Sequence, residues 1–342
     1  MELDARKLRV LAAIVETYIT TGEPVGSKLV AYLLGGEVSP ATVRNDMAAL
    51  FEMGLIEQPH TSAGRVPSHL GYRMYIDRLV RFKPLTQEEK DEIDALFNVG
   101  NPDPDKLLAD AAQALASHTR FATVSTTFTP KDVYVKRIEL IRVSNRTVVI
   151  LVVASNGVIK NKVCRVDFEV TPRIAEFFTN FANGRLAGIS LNEISARFIH
   201  SATTALGEYA RLFNPLLLAI FELCKETNDG QYFQRGAANL LSYEELRQIA
   251  HELFGLLGRR EEVVGLIAGE QGGVQITIGK ENAPMELSGS SLIVSRFKIG
   301  ESNAGAVGII GPVRMDYAKL VPHIQYFTET LGRLLSETLE EQ

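Results

Sequence analysis

Apolar positions in the first 83 residues recur at helical spacing in short bursts, separated by capping and breaking residues. Leu8, Leu11, Ile14, Val15, Tyr18 and Ile19 share one helical face, with Asp4 placed to cap the helix and Gly22-Glu23-Pro24 to end it. Ser27 can cap a second, short helix through Leu34, which Gly35-Gly36 stops. Ser39-Pro40 sets an N-cap before a proline at the first helical position, so a third helix is expected to about Met53, with Gly54 beyond it. On it Val43, Met47, Leu50 and Phe51 form the face that should bury. Leu55 to Gln58 reads as a strand, Pro59 to Gly64 as a polar loop and Arg65-Val66 as a returning strand. Ser68 then caps a helix with Tyr72, Tyr75, Ile76 and Leu79 on one side, at least one of the tyrosines being core.

Thr86 to Glu89 has the form of a capping box, so a new helix starts after Pro84. Asn98 to Pro104 reads as a short linker, followed by a helix to about Ser117. The period then changes to two. Runs at about 134–143, 147–154 and 158–168 are divided by Ser144-Asn145-Arg146 and Ser155-Asn156-Gly157, which predicts an antiparallel meander. From Pro172 to about Leu257 the pattern is mainly helical, and Asn214-Pro215 is expected to close one helix and open the next. Strand-like runs return at 274–279, 291–299 and 305–310, before a last helix from about Tyr317 to Glu340. The economical architecture is one α+β domain whose sheet is interrupted by a mostly helical insertion; two separate small domains are the alternative.

At 342 residues, two or three domains are expected. The longest apolar run, Val148 to Ala154, is about a third of the ~20 residues a membrane-spanning helix needs. The N-terminal residues lack the layout of a signal peptide. Cys164 and Cys224 are the only cysteines, with no CxxC, so a disulfide framework and a zinc finger are not expected and a reducing cytoplasm is the default. Gly273 and Gly279-Lys280 fail the phosphate-loop spacing, and Glu281 stands where Ser or Thr would be needed. His251-Glu252 has Gly255 where a zinc protease needs its second histidine. No catalytic, metal or cofactor site is expected.

The net charge of −5 hides a pattern. Residues 60–83 carry five cations against one acid, and residues 88–105 carry seven acids against one lysine. This marks a boundary between modules, with the acidic stretch a spacer held away from any polyanion. Three short helices, a hairpin and a basic loop fit a winged helix-turn-helix, whose second motif helix enters the major groove. Opposite its apolar face the third helix presents Ala41, Asn45, Ala48 and Glu52, flanked by Thr42 and Arg44. Asn and Arg make bidentate contacts to adenine and guanine, and alanines allow close approach. The candidate DNA contacts are Ser27, Lys28, Ser39, Thr42, Arg44, Asn45, His60, Thr61, Ser62, Gly64, Arg65 and Arg73. Leu206, Phe213, Leu216, Leu217, Ile220 and Phe221 are more apolar surface than one helix pair can hide, and are candidates for a twofold contact.

At several of these positions the chain resembles a known family. Ser39 to Met47, Gln58 to Arg65, Gly71 to Asp77, Ile278 to Asn282 and Gly308 to Tyr317 look like hallmark stretches of the bacterial heat-inducible transcription repressors, the HrcA family, although Val313 stands where that pattern has Thr. The resemblance implies a multidomain α+β protein: a winged helix (1–83), a GAF-like domain (84–200 and 263–342) and a dimerisation domain inserted in it (201–262). It further implies a non-enzymatic homodimer that represses chaperone operons at an inverted-repeat operator. The GroE chaperonin is implied to maintain the active form, and unfolded proteins to induce by competing for it. A different class of function, a small-molecule-responsive regulator with the GAF-like domain as sensor, is the alternative.

Overall fold

Local signals start most of the N-terminal elements. The computed structural model describes residues 3–60, 63–97, 104–127, 133–155, 157–268, 273–282, 284–299 and 302–340. Helix α1 (Ala5–Thr21) begins where the Asp4 carboxylate accepts the Lys7 amide, and ends at Gly22 with φ at 71°. Helix α2 (Ser27–Leu33) departs from expectation: Gly26 holds the cap position and Ser27 is already helical. Helix α3 (Pro40–Glu52) starts at Ser39, whose hydroxyl accepts the Thr42 amide at 3.1 Å. Strands β1 (Ile56–Glu57) and β2 (Val66–Pro67) form the antiparallel hairpin. Ser68 caps α4 (His69–Met74), which runs into a π-helical turn over Tyr75–Leu79.

Val43, Met47 and Leu50 bury against Val10, Leu11, Ile14 and Val15 of α1, and Tyr72 and Tyr75 are both core. Phe51 is a correction: it is 47% exposed. It lies at the end of α3, beside the hairpin instead of over α1.

Helix α5 (Gln87–Ala95) opens with the expected Thr86–Glu89 box, and α6 (Pro104–Thr119) follows. The linker expected at 98–104 lies outside the described residues except for Pro104. Strand β3 (Ala122–Thr127) enters a sheet that the chain then leaves. Away from it, β4 (Val135–Arg142), β5 (Thr147–Ala154) and β6 (Ile159–Arg165) form a separate three-stranded meander. Helices α7 (Pro172–Leu186), α8 (Ala196–Ala205) and α9 (Ala210–Asn228) complete this unit. The chain returns as β7 (Tyr232–Arg235), then passes through α10 (Glu244–Arg247), α11 (Ala250–Gly258) and α12 (Arg260–Ile267). Strands β8 (Val274–Ile278), β9 (Ser290–Ile299) and β10 (Ser302–Pro312) finish the first sheet, and α13 (Tyr317–Glu340) covers it. The sheet is antiparallel in the order β7-β3-β10-β9-β8.

The interruption of the sheet therefore falls between Thr127 and Tyr232, not at 201–262, and the meander belongs to the inserted unit. The reason is packing. The alternating face of Val135, Ile138, Leu140, Val148, Ile150 and Val152 is covered by Phe178, Ala182, Phe213, Leu216 and Ile220, which closes a core that, among the described residues, includes no strand of the larger sheet. Pro215 also departs from expectation. It lies inside α9, and the break comes earlier, at a 3₁₀ turn from Gly207 to Tyr209. In the second turn of a helix a proline forgoes one bond, to the Arg211 carbonyl, which a well-packed helix tolerates.

Nor is the acidic stretch a free spacer. Helix α5 lies on α13, where the Tyr326 hydroxyl donates to Asp94 at 3.0 Å. One apolar cluster runs from Leu11, Tyr72 and Ile76 through Phe97 and Leu108 to Ile278, Tyr317, Val321 and Phe327. Winged helix and sheet thus share a core. Among the described residues no helix is long and apolar enough to cross a membrane.

Candidate nucleic-acid interface

Two elements project a polar surface from the winged helix. The first is the outer face of α3, where Arg44, Asn45 and Ala48 are exposed. Behind them the helix is anchored at both ends. At its start the Ser39 Oγ accepts the Thr42 amide and lies 3.0 Å from the Thr42 hydroxyl, so these two candidates build the cap as well as lining the helix N-terminus. Farther along, Asp46 is 3% exposed and forms a two-pronged ion pair with Arg6, at 2.8 and 3.1 Å. That pair ties α3 to the first turn of α1. An acid beside Met47 on the buried stripe was the available sign that some cation must reach it.

The second element is the hairpin loop. Arg65 exchanges backbone hydrogen bonds with Val25, at 2.9 and 2.8 Å, so the hairpin is stitched to the α1–α2 connection. Gly64 is required by that approach: a Cβ there would lie 2.6 Å from the Val25 carbonyl oxygen. The Arg65 guanidinium sits 5.3 Å from the centroid of the Phe51 ring. This contact joins the hairpin to the end of α3 and accounts for the exposure of Phe51. His60 is exposed and its carbonyl accepts the Ala63 amide at 2.9 Å. Thr61 and Ser62 lie outside the described residues. Lys28 is exposed in the first turn of α2, and Ser27 beside it is half-buried.

Arg73 does not join this surface. Its Nε lies 3.1 Å from the Glu281 carboxylate, its Nη2 donates to the Ile276 carbonyl at 3.2 Å, and its Nη1 donates to Asp77 at 3.3 Å. A guanidinium on the side of α4 facing the sheet finds acceptors there before it finds solvent.

The proposed twofold contacts are also largely interior. Leu206, Phe213, Leu216, Leu217 and Ile220 are buried within the inserted unit, and Phe221 is half-buried. They cover the meander, whose apolar face has a stronger demand for them than any partner. Exposed apolar side chains of that unit lie elsewhere, including Phe177 and Tyr209, whose rings are 5.7 Å apart, and Leu218.

Other chemistry has little support. Burial raises both thiols, Cys224 to about 12, which makes them poor nucleophiles. Among the described residues no group of three or more His, Cys, Asp or Glu could hold a metal ion. A groove of about 800 Å³ lies between α1, α2 and the Leu79–Arg81 segment, away from the sheet where a sensor pocket was the alternative expectation.

With this geometry in view, the likenesses to known proteins are specific. Residues 105–321 match the family model described as HrcA protein C terminal domain. The chain is 32% identical over 340 residues to a heat-inducible transcription repressor HrcA of Clostridium acetobutylicum, covering 98% of this chain and 99% of that one. It is 34% identical over 349 residues to the protein of the same name from Thermoanaerobacter pseudethanolicus, covering both chains completely. A crystal structure described only as a hypothetical protein shares the fold, with a TM-score of 0.67 at 24% identity, over 98% of this chain and 100% of that one. From its first helix to its last, this chain belongs to the HrcA family.

Proposed function

We propose that this protein is a sequence-specific transcription repressor of heat-shock operons, acting in the cytoplasm as a homodimer on an inverted-repeat operator. The observation that carries the reading is the pairing of two surfaces. An α3 face of Arg44, Asn45 and Ala48 stands free for base edges, beside a hairpin whose Arg65 is held at the end of the same helix. Lys28, Ser39, Thr42, His60 and Arg65 suit phosphate contacts, while Gly64 shapes the hairpin base. Family membership supports repression of chaperone genes and maintenance of the active form by the GroE chaperonin.

The dimer would form through the inserted unit, using exposed apolar residues such as Phe177, Tyr209 and Leu218 and not the buried set on α9. Two winged helices on a rigid dimer gain effective concentration, which raises avidity by about 10²–10⁴. The half-sites should then be separated by one or two helical turns, each about 10–10.5 bp.

A gel-shift series with an inverted repeat, a half-site and a scrambled duplex tests this. Tight binding to the inverted repeat alone is expected; equal binding to all three would overturn the reading. Inserting ~5 bp into the spacer should weaken binding steeply, and ~10 bp should restore part of it. Sedimentation of a Phe177→Asp/Tyr209→Asp double variant should show monomers. Adding GroE should increase the operator-binding fraction, and adding unfolded protein should reverse the gain.

A further inference from the structure

We propose that His69 and Arg73 on α4, gripping Glu281 and the carbonyls of Ile276 and Ile278, form the joint that sets where the winged helix stands on the sheet domain. Both are thus positioning residues for two-site operator binding. The proposal rests on the DNA-binding reading above and assigns a role to two sequence stretches which that reading left unused.

The stretch Ile278 to Asn282, which fails as a phosphate loop, is built as a socket. The Asn282 side chain is buried. Its amide donates to the carbonyls of Gly279, Leu287 and Ser290 at 3.0, 3.2 and 3.3 Å, and its oxygen accepts the Thr277 hydroxyl at 2.6 Å. One side chain therefore holds the whole turn between β8 and β9. One Glu281 oxygen accepts the Ile278 amide at 3.0 Å, which aims the other at α4. That second oxygen lies 3.1 Å from Arg73 Nε and 3.5 Å from His69 Nε2. The same His69 nitrogen is 3.0 Å from the Ile278 carbonyl, and Arg73 reaches the Ile276 carbonyl. Gly279 has φ at 49°, and a Cβ on it would lie 3.1 Å from His69 Cδ2.

A second contact lies at the far end of α1. The Arg314 guanidinium carbon is 3.6 Å from where a Gly22 Cβ would be, and Arg314 is ion-paired to Glu245 at 2.5 Å. The Lys83 amide, at the exit of the winged helix, reaches the Ala318 carbonyl at 3.4 Å. All of these contacts leave the outer face of α3 exposed. Docking does not block the recognition surface; it fixes its direction. Apolar contact between the two modules can slide, whereas directional bonds to a braced turn cannot, so the joint determines the distance between the two recognition helices of a dimer.

The test uses the full-length chain with Glu281→Gln, Arg73→Gln and the swap Arg73→Glu/Glu281→Arg. Gly279→Ala serves as a second route to the same disturbance. Each is measured on the inverted repeat, the half-site and the repeat with ~5 bp inserted, and each is digested with trypsin at Arg78, Arg81 and Lys83. Glu281→Gln should lose about tenfold on the inverted repeat, part of the avidity gained by linked sites. Half-site affinity and salt slope should not change, the penalty for the insertion should shrink, and cutting at 78–83 should accelerate. The swap should recover part of the loss. If Arg73→Gln lowers the salt slope by about one while Glu281→Gln is silent, Arg73 is a phosphate contact and the joint is wrong. Unchanged spacing preference and unchanged cutting in every variant would also overturn it. Should the wild type fail to distinguish the repeat from scrambled DNA, the DNA reading falls, and the tryptic rates still decide the joint.

Discussion

The winged helix and the inserted unit close their cores in opposite ways. The inserted unit closes its own core: among the described residues, the cluster from Val133 to Cys224 holds no residue of the larger sheet. The chain enters it after β3 and returns from it as β7, where Arg260 of α12 donates to the carbonyls of Asp229 and Gly230. The winged helix, by contrast, does not close on itself. Leu11, Tyr72, Tyr75 and Ile76 continue into Ile278, Tyr317 and Val321 of the sheet domain. A module usually pictured as an independent reader is here mounted on its neighbour, while the module interrupting that neighbour is autonomous. Covalent order along the chain is therefore a poor guide to mechanical coupling. On the proposed function, the element that would be aimed is braced, and the element that would meet a second copy closes its own core.

The sharpest way to break this contrast is in the inserted core. Phe213 is fully enclosed, with ring contacts to Phe168, Phe177 and Phe178 at 5.8, 5.8 and 5.1 Å. Phe213→Ala should cost about 3–5 kcal/mol in that unit. Thermal unfolding should then separate into two transitions, with half-site binding surviving the first. A single transition that takes the winged helix with it would show that the two cores are coupled.

Next in size is Gly71. A Cβ there would lie 2.0 Å from the Leu55 carbonyl oxygen, a backbone atom that cannot swing away. Gly71→Ala should destabilise the winged helix by about 1–3 kcal/mol. Because this module shares its core with the sheet, denaturant unfolding should show the sheet domain weakened with it while the inserted unit keeps its own midpoint.

On the DNA side, Arg44→Ala or Asn45→Ala should lose about 1–3 kcal/mol on the operator and relax discrimination at one position per half-site. Equal losses on random DNA would reassign them to phosphates. Arg65→Ala should weaken all duplexes alike and lower the salt slope by about one. Titrations at several salt concentrations separate the two behaviours.

The smallest effect is a pH dependence inside the shared core. Burial pushes His323 below its ordinary value, although its Nδ1 bonds the Lys319 carbonyl and Glu89 lies 3.7 Å from Nε2; His118 stacks against it and Lys319 adds a like charge. The unfolded chain then takes up this proton before the folded one does. Stability should fall as pH drops below about 6.5 and level off beneath the depressed value. Melting curves across this range should show a flatter slope for His323→Gln.

Much of the winged helix was legible because its signals are local. Asp4, Ser39, Ser68 and Thr86 each make the cap their positions predict. Ser27 does not, since Gly26 takes the cap one residue earlier. The meander was legible for a related reason: an alternating face and short turns specify neighbours close in sequence. Strand β7 was not legible. Four half-buried residues, Tyr232 to Arg235, carry no alternation, and they are strand because β3 offers them an edge. The place of the insertion was hidden for the same reason, since β3 is rich in threonine and serine and reads as a strand only beside β10.

The candidate site divides along the same line. Arg44 and Asn45 could be assigned from the helical period, which separates their face from Val43, Met47 and Leu50 without any knowledge of the rest of the chain. Arg73 and Phe221 could not, nor could Leu206 at the end of α8 or the buried Phe213, Leu216, Leu217 and Ile220 of α9. Whether a cation on α4 meets a phosphate or Glu281, 208 positions later, depends on which surface packs against that helix. Whether a leucine on α9 meets a partner or the meander depends on which apolar face lies nearer. Caps, periods and turns are short-range interactions that a chain carries along its length. The choice of what covers a face is made by burial of apolar area and pairing of charge between distant segments, and is settled only when the whole chain is packed.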